Sequence, residues 1–270
     1  MSLSNKTKIG IVGVGYLGGA LKYWFDKQNF NSFFYDKHKE IGSLQDLNKA
    51  DIIFICLPTP FIEGKNKGFD DSAILEILKE IKGEKIIVIR STVLPGSTEN
   101  YQKKYPQHKF LMNPEFLRAK TAIQDYLKPE RQIIGFTEKS KDIAQGILEI
   151  LPKAPFEKIV CATEAEIIKY FGNVFLSNKV IFANQMYDVC QKMGADYETI
   201  KECAGRDSRI GKSHFEIFSD GYRGYGGACL PKDTKAFIQF AEQLGINPKL
   251  FKTLEEINKE LLNGNKHGEC

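Results

Sequence analysis

Long hydrophobic runs, paired cysteines and clustered charge are all missing from this 270-residue chain. No apolar stretch approaches the roughly 18 residues that span a bilayer, so no membrane anchor is expected. The opening Met1–Lys6 leads straight into an apolar strand and leaves no room for the regions of a signal peptide, so secretion is not expected. Six cysteines, Cys56, Cys161, Cys190, Cys203, Cys229 and Cys270, are scattered and form no C-x-x-C pair. Neither a zinc site nor a disulfide framework follows; no metal is expected, and a reducing cytoplasm suits these thiols best. Lys and Arg are interspersed with acids and the net charge is only +4, which gives no basic groove for nucleic acid but suits an anionic small molecule. Internal repeats and low-complexity tracts are absent as well.

What is present is an ordinary globular composition, 42% hydrophobic and 27% charged, long enough for one α/β domain and a smaller second one without crosslinks. Short Ile/Val/Phe runs at Lys8–Val12, Ser32–Tyr35, Ile52–Cys56, Lys85–Ile89, Lys109–Met112 and Gln132–Phe136 alternate with segments of helical period. Strands this apolar predict a doubly wound parallel sheet covered on both faces. A last strand is expected at Phe156–Cys161, and Pro58–Phe69 reads as a mobile loop rich in Pro, Gly and Lys. From Thr163 the pattern becomes one long helix to about Met193, followed by helices around Tyr197–Ala204, Lys232–Gln243 and Pro248–Leu262. The expected division is therefore an α/β domain over 1–162, an all-helical domain over 163–262 and a disordered tail over 263–270. Within the helical part, Gly205–Gly227 carries six glycines and reads as an ordered functional loop rather than a linker.

Two regions carry chemistry. Gly13-Val14-Gly15-Tyr16-Leu17-Gly18 follows the strand Ile9–Val12 and opens a helix. In that context G-x-G-x-x-G presents helix N-terminal amides to the pyrophosphate of a dinucleotide, where an isolated copy would be only a tight turn. Asp36 ends the second strand eighteen residues past Gly18; an acid there accepts ribose hydroxyls and repels a 2′-phosphate, favouring NAD, although Lys37 and Lys39 leave room for NADP. Gly211-Lys212-Ser213 is similar to the end of a P-loop, but Gly205 lies one residue too far upstream and no strand precedes it.

The second region is the long helix and the glycine loop. Lys169, Asn173, Ser177 and Asn184 form one polar stripe on a helix that is apolar elsewhere, either aimed at a site or simply solvated. Lys169 and Asn173, at i and i+4, can hold one oxygen atom between them. Cys229 follows Gly226-Gly227 and precedes Leu230-Pro231-Lys232-Asp233, where a helix is expected to begin. A thiol at a helix N-terminus beside Lys232 is expected to ionise easily and react, against the alternative of a small buried hydrophobe.

Five segments in order resemble the signatures of the UDP-glucose/GDP-mannose dehydrogenase family: Ser91-Thr92-Val93-Leu94-Pro95-Gly96, Asn113-Pro114-Glu115-Phe116-Leu117-Arg118, Pro129-Glu130-Arg131, Glu166-x-x-Lys169-x-x-x-Asn173 and Gly224-Tyr225-Gly226-Gly227-Ala228-Cys229-Leu230-Pro231-Lys232-Asp233. The resemblance spans roughly residues 8 to 262. It implies a Rossmann domain followed by a helical domain that mediates homodimerisation, and a four-electron oxidation of a nucleotide sugar, most simply UDP-glucose to UDP-glucuronate, with two NAD⁺. It implies that Cys229 traps the aldehyde as a thiohemiacetal and then carries a thioester. Water near Asp233 and Glu115, ordered by Thr92, would release the acid, while Lys169 and Asn173 stabilise oxyanions at C6. Tyr16, Leu17, Thr92 and Lys232 are implied as cofactor contacts, Phe116, Leu117, Tyr225 and Gly226 as substrate contacts, and Arg209 as a group reaching the sugar of the neighbouring subunit. Two features depart from the family pattern. Ala119 followed by Lys120 stands where members often carry a second acid, and the third, α/β domain that helps enclose the nucleotide is not in this sequence. Two other readings stay open: a two-electron β-hydroxyacid-type dehydrogenase, which uses the Lys and Asn but needs no cysteine, and a non-catalytic homologue that binds NAD and dimerises.

Overall fold

Next to one edge of the sheet, β1 (Lys8–Val12) pairs in parallel with the edge strand β2 (Asn31–Tyr35) on one side and with β3 (Ile52–Ile55) on the other. The structure is a computed structural model that describes residues 6–64, 68–118, 121–219 and 221–264. Beyond β3 follow β4 (Ile86–Ile89), β5 (Lys109–Met112), β6 (Arg131–Phe136) and β7 (Phe156–Cys161), in the order β2-β1-β3-β4-β5-β6-β7. The chain thus reverses its direction of travel at β1, and the crevice at the carboxyl ends of β1 and β3 is where such sheets bind ligands. Alternate residues of each strand feed opposite cores. Ile53, Ile55, Ile87 and Ile89 face one buried cluster, while Ile52, Phe54 and Val88 face the other, so neither face is left for water, as a parallel sheet requires.

One expectation is corrected. The sheet is parallel from β2 through β5, but β6 runs antiparallel to β5, and β7 is parallel to β6. Among the described residues between β5 and β6, the short helix α5 (Ala122–Leu127) turns the chain back beside β5 without the full crossover that a parallel neighbour needs. The other helices of this region are α1 (Tyr16–Lys27), α2 (Leu44–Leu47), α3 (Ser72–Glu80), α4 (Ser97–Lys104) and α6 (Ala144–Ile150). The loop expected at Pro58–Phe69 includes residues 65–67, which lie outside the described residues, as do Ala119 and Lys120.

Compact units form over Met1–Lys169 and Tyr170–Cys270, and the helix α7 (Ala162–Met193) runs from the first into the second. The second unit continues with α8 (Tyr197–Ala204), α9 (Leu230–Gln243) and α10 (Lys249–Gly264). Asp196 caps α8 by accepting the amides of Glu198 and Thr199. Of the expected tail, Asn263 and Gly264 close α10, and 265–270 lie outside the described residues. The glycine-rich stretch before α9 is held by its backbone: Asn258 accepts from the Tyr225 amide at 2.7 Å and donates to its carbonyl at 2.9 Å. Gly224, at φ +86°, makes this approach possible, since a Cβ there would lie 2.5 Å from Asn258 Oδ1.

On α7 the usual amphipathic arrangement is inverted. Lys169, Ser177 and Asn184 are buried, whereas Phe171, Phe175 and Phe182 are exposed.

Candidate active site

The glycine turn is shaped by close backbone approach. Gly13, at φ +83°, sits against the end of β3, where a Cβ would lie 2.6 Å from the Cys56 carbonyl oxygen, and a Cβ on Gly18 would lie 1.8 Å from the Gly13 carbonyl oxygen. Gly15 differs, because a Cβ there would meet nothing within 4 Å. The first residues of α1, Tyr16 and Leu17, therefore follow an open concavity at a helix N-terminus, which fits the phosphates of a dinucleotide. A cavity of about 790 Å³ adjoins it, lined by Gly15, Tyr16, Gly19, Lys39 and the start of α5.

Asp36 is bound into the same turn. Its Oδ2 accepts the Val14 amide at 2.8 Å and its Oδ1 accepts the His38 and Lys39 amides at 3.1 Å, while Lys39 Nζ donates to the Val14 carbonyl at 2.6 Å. Partial burial opposes ionisation, but the three amides and the Lys39 charge outweigh it and hold the carboxyl below its ordinary value. Oδ2, which accepts a single amide, keeps a lone pair for a ribose hydroxyl.

At the carboxyl end of the sheet, Lys169 Nζ lies 2.8 Å from Glu115 Oε1, with the two side chains only 6% and 16% exposed. Burial pushes the Glu115 carboxyl up. The Lys169 charge and hydrogen bond, the Leu117 amide on Oε2 at 2.8 Å and the Arg90 charge pull it further down, so it lies below its usual range. Glu115 is thus an ionised acceptor rather than an acid. Phe116, the next residue, lies under the Arg131 guanidinium at 3.9 Å, with Lys169 Nζ 5.8 Å from its ring centre. Thr92 is buried on the loop after β4, and its carbonyl accepts the Thr59 hydroxyl at 2.6 Å.

Within the second unit, Asn173 Nδ2 donates to Asp233 Oδ2 at 2.5 Å, and Lys232 Nζ pairs with Asp233 Oδ1 at 2.5 Å. Asp233 is 1% exposed, so its negative charge is matched by one cation and one amide. One residue on, Thr234 meets Ser177 at 2.9 Å, fixing α9 against α7. Cys229 is exposed, immediately precedes α9 and occupies its N-cap position, with Pro231 in the first turn. No disulfide occurs among the described cysteines.

The remaining expected contacts are placed as follows. Tyr225 is buried, with its hydroxyl donating to Glu255 at 2.9 Å, and a Cβ on Gly226 would strike the Tyr222 hydroxyl oxygen at 2.1 Å. Arg209 extends into solvent, paired with Asp207 at 2.6 Å. Gly211-Lys212-Ser213 forms no strand-to-helix turn, consistent with its dismissal as a phosphate loop. Three side chains that the sequence reading left without a role belong to these clusters: Thr59, Arg90 and Glu166. Arg90, 2% exposed, donates to Asn113 and covers the Tyr126 ring; only its position directly before Ser91-Thr92 could have singled it out.

Two family models match the chain. The NAD-binding domain of the UDP-glucose/GDP-mannose dehydrogenase family matches residues 39–151, and the central domain of that family matches residues 163–260. The chain belongs to the UDP-glucose/GDP-mannose dehydrogenase family. It therefore contains the family's NAD-binding domain, though the matched portion begins past the glycine turn and Asp36.

Among relatives of this dehydrogenase family, UDP-glucose 6-dehydrogenase of Rickettsia conorii is 34% identical over 227 residues, which cover 80% of this chain and 50% of that protein. TuaD of Bacillus subtilis, a UDP-glucose 6-dehydrogenase, is 34% identical over 226 residues, with 79% and 47% covered. The chain spans about half the length of the curated relatives it matches. A UDP-glucose dehydrogenase structure from Pyrobaculum islandicum superposes with a TM-score of 0.83 at 26% identity, covering 94% of this chain and 68% of the other. For the described residues no helix is long and apolar enough to cross a membrane, and no cluster of metal-ligating side chains occurs.

Proposed function

We propose that this protein is an NAD-dependent nucleotide-sugar 6-dehydrogenase that oxidises UDP-glucose to UDP-glucuronate in two two-electron stages. The observation that carries the reading is the exposed Cys229 at the head of α9, four residues before an Asp233 that Asn173 clasps. A two-electron alcohol oxidation needs no such thiol.

Bound NAD⁺ supplies the hydride acceptor for each stage. The amides at Gly15–Leu17 would hold its pyrophosphate and the Asp36 carboxylate its adenosine ribose, with Lys39 and Lys232 as further cofactor contacts. Lys169 and Asn173, one turn apart on α7, hold the C6 oxygen as it gains negative charge and its proton leaves to water. Once the first hydride has left C6, Cys229 Sγ adds to the carbonyl carbon of the resulting aldehyde and the thiol proton passes to the carbonyl oxygen, giving a thiohemiacetal. After the second hydride leaves C6, the same sulfur carries the acyl group as a thioester. Glu115 and Asp233 accept hydrogen bonds from the attacking water, which Thr92 helps to order. Hydrolysis breaks the C–S bond, returning the thiol and releasing the carboxylate. Phe116, Leu117, Tyr225 and Gly226 shape the sugar site, and Arg209 serves the site of a second subunit.

The homodimer is part of the proposal. The aromatic stripe of α7 continues through Met186, Val189 and Met193, all exposed, and an apolar face of this length in water favours a second copy of the same helix. A reducing cytoplasmic setting suits the thiol chemistry.

The test is a stoichiometry. Purified protein given UDP-glucose and excess NAD⁺ should yield two NADH per sugar, and Cys229→Ser should abolish the four-electron product. One NADH per sugar with wild type, or a silent Cys229→Ser, would favour the two-electron reading. NAD binding without turnover over a panel of nucleotide sugars would favour a non-catalytic role.

A further inference from the structure

Glu166 is fully buried and has no part in the proposed chemistry, yet its carboxylate accepts three hydrogen bonds. Helix α4 begins after Gly96, a residue in the left-handed region at φ +89° that has no side chain with which to cap its own helix. The exposed amides of that first turn are satisfied from elsewhere. Glu166 Oε2 accepts the Gly96 amide at 2.5 Å, and Oε1 accepts the Thr98 amide at 2.8 Å and the Thr98 hydroxyl at 2.7 Å. A carboxylate seventy residues downstream thus serves as the cap.

This cap joins two parts of the site. Gly96 closes the 91–96 loop whose other end is fixed where Ser91 Oγ donates to the Leu57 carbonyl at 2.7 Å and the Thr59 hydroxyl binds the Thr92 carbonyl. Glu166 stands three residues before Lys169 on α7 and therefore on the same face. Resting on the proposed dehydrogenase reading, we propose that Glu166 is a positioning residue: by clamping the head of α4 to α7 it holds Lys169 against Glu115 and in register with the Thr92 loop.

Ionisation of the clamp matters, because all three of its partners donate. Burial raises Glu166 to about 7 against the pull of those donors, and Glu99 on α4 raises it further. Tyr101, also on α4, adds no positive charge: its hydroxyl donates to Asp71 at 2.5 Å. One turn along α7 stands Lys169, paired with Glu115 on the loop after β5. Below neutrality the protonated carboxyl offers a donor where the Gly96 amide needs an acceptor, and the clamp loosens.

The test uses the full chain with Glu166→Gln and the milder Thr98→Val. Exchange of the Gly96 and Thr98 amides should quicken by about tenfold or more in Glu166→Gln, the size expected for losing a hydrogen bond to a charged acceptor, with strand amides unchanged. Lys169 should become open to amine-reactive labelling read by mass spectrometry. Wild-type turnover is expected to fall as pH drops through about 7, and Glu166→Gln should lose that acid limb, with KM for NAD⁺ unchanged. Thr98→Val should shift each readout the same way by less. A Lys169 that stays protected in Glu166→Gln, or a wild-type pH profile in that variant, overturns the inference. If wild type oxidises no nucleotide sugar, the proposed function fails, while amide exchange and Lys169 labelling still decide the clamp.

Discussion

Lys169 and Glu115 form an ion pair at 2.8 Å between the first two turns of α7 and the loop after β5, with both side chains nearly removed from water. A pair of this kind adds little net stability, but breaking it leaves a buried charge unmatched. Lys169→Met should destabilise the protein by about 3 kcal/mol in denaturant titration, and Lys169→Met with Glu115→Gln should recover most of that loss. Turnover should fall by about a hundredfold in both variants, the cost of removing one oxyanion donor. Recovery of activity along with stability in the double variant would show that Lys169 acts only structurally.

Acid stability should report the same pair. Glu115 lies below its ordinary value when folded, because Lys169 and the Leu117 amide outweigh burial. An unfolded glutamate titrates near about 4.3, so as pH falls through that value the unfolded chain binds the proton first. The stabilisation is thus present above about pH 4.3 and lost below it as the folded pKa is approached. Melting temperatures followed from pH 6 down to pH 3 should decline less steeply in Glu115→Gln than in wild type.

The glycine turn offers a paired test of cofactor binding. A methyl at Gly15 meets no protein atom, while one at Gly18 collides with the Gly13 carbonyl. Gly15→Ala should keep the wild-type melting temperature and weaken NAD⁺ binding by about tenfold or more, since the methyl enters the space the phosphates need. Gly18→Ala should lose both stability and binding. Calorimetric titration with differential scanning on the same samples separates the two effects; equal behaviour of the variants would count against a phosphate cradle at Gly15.

Cofactor preference should depend on Asp36. Wild type should bind NAD⁺ more tightly than NADP⁺, and Asp36→Ala should narrow the difference from both directions by removing the ribose acceptor and leaving Lys39 near the 2′ position. Because Asp36 also accepts three amides, this variant should melt earlier than wild type.

Oligomeric state should respond to the exposed face of α7. Phe171→Glu with Phe182→Glu places charge on an apolar stripe that is already in water, so a monomer would tolerate it. Light scattering should show a dimer for wild type and a monomer for the double variant, with melting temperature lowered only in proportion to lost association.

Local pattern by itself determined much of this molecule. Apolar strands, the glycine turn, the Pro at the head of α9 and the 32-residue run of α7 were legible because each depends on residues within a few positions: strand burial, helix capping and turn geometry are short-range physics. Family signatures added the names of reactive groups. Tertiary structure decided what short-range rules cannot reach. It reversed β6 against β5, because strand direction depends on how a connection packs. It buried the polar stripe of α7 and exposed the aromatic one, since periodicity defines two faces but not which one finds partners. It also gave Glu166 its role, as a carboxylate seventy residues from the helix it caps is paired with it only once the chain has folded.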